Sequence, residues 1–169
     1  MLTKLKNSLK RVKDSEEYKD FIKNYPESYL CAGFIMYQPG KEKESEWQID
    51  YYTKDTKKIT TFVHEKGKLI VKECNEIFQK VKKDLDELKI KDIKIDFDEA
   101  IKTLNKLRDE KYSKEKEMDI IVVLQKGLWS ITYVTTGFNI LHLDINSKTG
   151  ETSNEIFEPV LNFKLDQNK

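Results

Sequence analysis

Apolar residues recur along this chain with two different periods, and the switches between them mark out its elements. Leu2, Leu5, Leu9 and Val12 fall at helical spacing with lysines between them, which predicts a short amphipathic helix over residues 2–12. Asp14 followed by Glu17 has the pattern of a capping box, and Tyr18, Phe21, Ile22 and Tyr25 then share one face. A second helix is therefore predicted from Asp14 to Tyr25, where Pro26 stops it. The period then drops to two. Tyr29 to Gln38 is an aromatic and β-branched run that reads as a buried strand ending in a Pro39-Gly40 turn. Trp47, Ile49, Tyr51 and Thr53 alternate with Gln48, Asp50 and Tyr52, and Ile59, Thr61 and Val63 resume the alternation after a polar turn, which predicts a hairpin. Leu69 to Val71 predicts a further short strand.

From Ile77 the helical period returns through Val81, Leu85 and Leu88, predicting a connecting helix over 76–89. Asp96 and Glu99 form another capping-box pattern ahead of Phe97, Ala100, Ile101, Leu104 and Leu107, so a helix is predicted to end near Tyr112. Met118 to Gln125 is strongly β-prone, Lys126-Gly127 is a tight turn, and Trp129 to Gly150 reads as a hairpin. Leu161, Phe163 and Leu165 predict a last edge strand after Pro159.

The same elements occur twice. Trp47 and Trp129 are separated by 129 − 47 = 82 residues, and WQIDYYT then lies over WSITYVT with Trp, Ile, Tyr and Thr identical at alternating positions. At that separation Ile59, Thr61 and Val63 fall on Leu141, Leu143 and Ile145, and Asp14 and Glu17 fall on Asp96 and Glu99. Each half also carries the tetrapeptide NEIF, at 75–78 and 154–157. A match running from a helix cap through two strands points to internal duplication. The reading that follows is α+β: two helix-plus-antiparallel-meander units, with residues 1–78 as the first, 79–95 as connecting helix and linker, and 96–169 as the second.

Composition narrows the functional classes. The chain has 31 Lys+Arg against 30 Asp+Glu, a net charge of +1, so no long-range field draws in nucleic acid or an anionic membrane. Only Arg11 and Arg108 are arginines, and lysine lacks the bidentate fork that base and phosphate recognition exploits. No secretory signal or long apolar run occurs, so a cytoplasmic location is expected. Cys31 and Cys74 read as buried free thiols. Walker, G-x-S-x-G, G-x-G-x-x-G and H-E-x-x-H patterns are all missing. His64 and His142 have no ligand-spaced neighbours, which leaves neither a metal nor another cofactor expected, and catalysis is disfavoured.

The segment IDFDEAIKTLNKL, a strand, and WSITYVTTGFNILHLDINSKTGE together resemble the helix, strands and closing turn of PepSY-like domains, through Ala100, Ile101, Trp129, Tyr133, Asp144 and Gly150. The resemblance covers 95–153 directly and the first half through the repeat. It implies a PepSY-like or cystatin-like sheet with helices on one face, a binding role and, in some relatives, inhibition or chaperoning of peptidases. Trp47 with Tyr51 and Trp129 with Tyr133 either line a pocket or build a shared core. Tyr52, Phe62 and His64 in one half and Val134, Ile140 and His142 in the other form the opposite strand faces, too apolar for plain exposure. Either the two sheets join or pack through these faces, or they are the candidate partner-binding face, for another protein or a second copy. The expected function is thus a non-catalytic protein-interaction module, inhibitor-like by resemblance. The alternative is a small-molecule binder or enzyme with its pocket between helix and sheet.

Overall fold

The computed structural model describes residues 1–74 and 83–162. Ser15 separates the first two helices, α1 (Leu2–Asp14) and α2 (Glu16–Asn24), by leaving helical backbone at φ −77°, ψ 152°. Its hydroxyl donates to the Val12 carbonyl at 2.6 Å and accepts from the Tyr18 N–H at 3.1 Å, closing one helix and opening the next. The cap is therefore one residue later than the Asp14–Glu17 pattern predicts, and Asp14 belongs to α1. Asp96 caps α3 (Phe97–Lys111) as expected, accepting from the Asp98 N–H.

Eight strands, four before α3 and four after it, complete the chain: β1 (Tyr29–Tyr37), β2 (Gln48–Thr53), β3 (Lys58–Glu65), β4 (Lys68–Cys74), β5 (Glu117–Gln125), β6 (Leu128–Thr135), β7 (Asn139–Asn146) and β8 (Thr152–Pro159). They form one antiparallel sheet in the order β4-β3-β2-β1-β5-β6-β7-β8, which does not close. The protein is therefore α+β, with three α-helices and this eight-stranded sheet among the described residues. Two meanders meet at β1 and β5, where Gly33 lies opposite Leu124 and Ile35 opposite Val122.

Period-two alternation gives the sheet an apolar face. Trp47, Ile49, Tyr51 and Phe62 from one meander and Trp129, Ile131, Tyr133 and Leu143 from the other join Leu5, Leu9, Val12, Phe21, Phe97, Ala100 and Leu104 in one core. The two tryptophan rings lie 6.4 Å apart at its centre. Gly33 lets α1 approach the sheet, since a β-carbon there would stand 3.4 Å from both Leu5 and Trp47.

Three expectations change. Residues 83–89 are not helical, while 75–82, including the first NEIF, lie outside the described residues. Leu85 packs with Cys31, Ala32 and Tyr52, whereas Leu88 joins the main core and donates its N–H to the Leu30 carbonyl at 2.8 Å. The helical spacing of these leucines thus reflects a strap that passes from one side of the sheet to the other beside Leu30. The last strand is β8, which ends at Pro159; Val160–Asn162 form a 3-10 turn, and Phe163 and Leu165 lie outside the described residues. As an edge strand with a register shift opposite His142 and Asp144 and a left-handed Asn154 (φ 52°), β8 carries no clean alternation.

The third change concerns register. Phe62 lies opposite Ile49, as Leu143 lies opposite Ile131, and 143 − 62 is 81 rather than 82. The turn of the first hairpin is one residue longer. Ile59 and Thr61 consequently oppose Tyr52 and Asp50 on the outer face, while Leu141 and Leu143 face the core.

Candidate functional site

The six residues predicted to share one face are divided between two. Phe62 is fully buried in the core, with Tyr18, Phe21 and Tyr51 packed edge-on around it at ring separations of 5.4–5.8 Å. His64 lies on the same side, half-buried beside Leu69; burial and then Arg11 lower its pKa against the pull of Glu46 and Glu17. Tyr52 is on the outer face but covered, its hydroxyl donating to Asp84 at 2.9 Å beside Leu85. Val134, Ile140 and His142 share that outer face, Val134 and His142 half-buried and Ile140 itself buried at 5% exposure. The one-residue register difference is the physical reason: it turns Phe62 and His64 inward.

The outer face of each meander holds a carboxylate that accepts hydrogen bonds from neighbouring side chains. Asp144 accepts from Ser130 at 2.5 Å and Asn154 at 2.6 Å, and lies 3.2 Å from His142 Nε2; His142 Nδ1 meets the Thr132 hydroxyl at 2.7 Å. Asp50 accepts from Thr61 at 2.7 Å and Gln48 at 3.3 Å, and burial raises its pKa against those bonds. Each carboxylate is held by neighbouring strands, and no group of three or more potential metal ligands gathers among the described residues. Cys31 is buried on this face, its thiol pushed up to about 12 by burial.

The core-facing side contains a cleft. A space of about 380 Å³ lies between the helices and the first meander, walled by Leu9, Tyr18, Leu30 and Tyr51 and bounded by residues 87–91 of the strap. Tyr51 is 3% exposed, and its hydroxyl, like the Trp47 indole N–H, has no hydrogen-bond partner among the described residues. Burial, and then the adjacent Tyr18, push its phenol well above the ordinary range. The Tyr18 side chain is the polar neighbour of that hydroxyl, its ring 5.1 Å away between centroids, and the hydroxyl itself is closed off from solvent.

The second meander treats the same residue types differently. Tyr133 donates to Asn105 Oδ1 of α3 at 2.7 Å, and the Trp129 indole N–H donates to the Ile95 carbonyl at 2.9 Å. Arg108 of the same helix lies 6.0 Å from the Tyr133 ring centroid and pairs with Glu117 and Asp109. The 15-residue α3 and its lead-in thus satisfy both polar groups, while the 9-residue α2 satisfies neither. The Trp and Tyr positions are visible in the sequence as pocket or core candidates. The strap and Lys13, which complete the cleft, carry no pattern that would have marked them.

No protein-family model, curated protein or solved structure matches the chain. Among the described residues no helix is long and apolar enough to cross a membrane.

Proposed function

We propose that the chain is a non-catalytic binding module built from two duplicated, PepSY-like helix-plus-meander units, in which the first unit takes a small molecule in the cleft beside Tyr51. The duplication is supported by the strand order, in which two four-stranded meanders run outward from β1 and β5, each following a helix. The observation that carries the binding reading is the cleft of about 380 Å³ between the helices and the first meander, bordered by Leu9, Leu30, Leu88 and Tyr51. The cleft also falls in the size range of small-molecule sites, roughly 300–1,000 Å³. A fragment screen read by methyl NMR tests it. Hits should move Leu9 and Leu30 and weaken on Ile90→Lys with folding intact; hits that bypass these methyls would count against it.

A second reading is a protein partner on the outer sheet face. Met36 is 54% exposed there, next to partly buried Phe34, Ile121, Val123 and Val134, a contiguous apolar strip of the kind that marks interaction surfaces. An inhibitor-like role belongs to this reading. Partners recovered by pull-down should be lost on Met36→Lys or Val123→Lys with folding intact, and unchanged capture would argue against it.

A further inference from the structure

We infer that the outer face of the sheet takes a cationic amphipathic helix of another protein. This rests on that face being a protein-binding surface, and it names the chemistry of the partner. Lysine and arginine make up 31 of the 169 residues, yet β1, β2, β5, β6, β7 and β8 contain neither. On the side turned to the helices their absence follows from burial; on the outer side it leaves apolar residues and acids. Phe34 lies opposite Val123, Met36 opposite Ile121 and Val134 opposite Ile140, an apolar strip crossing four neighbouring strands. The acids divide by side. Glu117 and Glu155, on the helix side, pair with Arg108 and Lys111 of α3. Asp119 and Glu158, opposite Val134 and Ile140 on the outer side, have no cation within 4 Å among the described residues. Lys68 and Lys72 lie on β4, at the other edge of the sheet from β7 and β8.

Sign and backbone geometry choose the partner. A nucleic acid or an anionic membrane meets like charge there, and the same face of a second copy brings more acids and, from these six strands, no lysine or arginine. A partner with cations at the margins of an apolar stripe complements both features. The central strands spend their backbone hydrogen bonds on one another, so the face offers only side chains. A segment lying on it must satisfy its own backbone, which a helix does and an extended peptide does not. Apolar residues at i, i+3, i+4 and i+7 of that helix fill the strip, and flanking lysines or arginines reach Asp119 and Glu158. Met36, 54% exposed in the strip, is unbranched and adapts to an irregular contact.

The test presents two synthetic helices of about 18 residues, roughly 27 Å long, to the whole chain, one of leucine and lysine and one of leucine and glutamate in the same pattern. Methyl NMR locates binding and calorimetry measures it. The lysine helix should shift Ile121, Val123 and Val134 and leave Leu104, in the core on the helix side, unmoved. The glutamate helix should bind about tenfold more weakly or worse. Asp119→Lys with Glu158→Lys should reverse that order; if charge reversal disturbs the fold, Asp119→Asn with Glu158→Gln should level it. Equal binding of both helices at those methyls would overturn the cationic partner and leave the outer-face reading standing. Absence of shifts there with both helices would overturn both. A dimer in light scattering that covers the same methyls, or their broadening by phosphatidylglycerol vesicles, would overturn the helix in favour of a second copy or a membrane.

Discussion

Tyr51 and Tyr133 occupy matching places on matching strands, each buried in the core under a helix, yet only Tyr133 has a partner for its hydroxyl. The difference comes from the helices rather than the sheet. α3 runs far enough to place Asn105 over Tyr133 and Arg108 beside it, and its lead-in brings the Ile95 carbonyl to Trp129. α2 ends at Asn24, and the space beside Tyr51 is bounded instead by α1 and the strap. One strand pattern therefore has its buried polar groups met by a neighbouring helix and its lead-in in one half and not in the other. What a strand buries depends on the helix laid over it.

The largest effect should separate the two faces. Phe62→Ala, which empties the centre of an aromatic cluster, should cost about 3–5 kcal/mol in urea unfolding, and Val134→Ala on the outer face about 1 kcal/mol or less. Similar costs would mean that Phe62 is not the inward residue that the register makes it. Next comes the hydroxyl contrast itself. Tyr133→Phe strands Asn105 Oδ1 and should lose about 1–2 kcal/mol, whereas Tyr51→Phe in ligand-free protein should be neutral or stabilising by up to about 1 kcal/mol. Equal losses would show that the Tyr51 hydroxyl has a partner, and the contrast would collapse.

A smaller effect concerns the buried carboxylate of the first meander. Burial raises the folded pKa of Asp50 above its unfolded value, with bonds from Thr61 and Gln48 opposing. A raised acid contributes its stability below the unfolded value, and loses it as pH climbs through the folded one. Asp50→Asn, which keeps an acceptor for Thr61, should therefore gain on wild type as pH rises from about 4, the ordinary Asp range, towards neutrality. A gap that widens in acid would reverse the assignment. The smallest change is expected at Glu155, where Lys111 and then Tyr112 hold the carboxyl below its usual range. That contribution is present above the unfolded pKa and fades in acid, so Glu155→Gln should lower the urea midpoint slightly at pH 7, and less as pH falls through the depressed value.

Much of the sheet was legible because alternation is a local signal. Trp47, Ile49 and Tyr51, and Trp129, Ile131 and Tyr133, declare their inward face in the sequence, and Asp96 declares the start of α3. The faces of β3 were misread because the repeat was extended at a constant 82 residues across turns of unequal length, and one extra turn residue inverts every side chain beyond it. Leu85 and Leu88 imitate a helix because a strap that changes sides also needs apolar residues a few positions apart. β8 escaped notice because an exposed edge with a bulge has no face to alternate. The cleft was the least legible feature. Tyr51 and Tyr133 carry the same sequence signal, and only the reach of the neighbouring helix tells their hydroxyls apart.

The junction between β1 and β5 also sets a timetable for synthesis. The N-terminal meander leaves the ribosome with one side of β1 unpaired, and β5 does not begin until Glu117, some 80 residues after β1 ends at Tyr37. Throughout that interval the nascent chain exposes a strand edge open to pairing with neighbouring chains. The strap emerges first, and its Leu88 N–H takes the Leu30 carbonyl, which lies just outside the stretch of β1 that β5 later covers. It acts as a temporary fastening at one end of that edge, installed before the permanent partner has been translated.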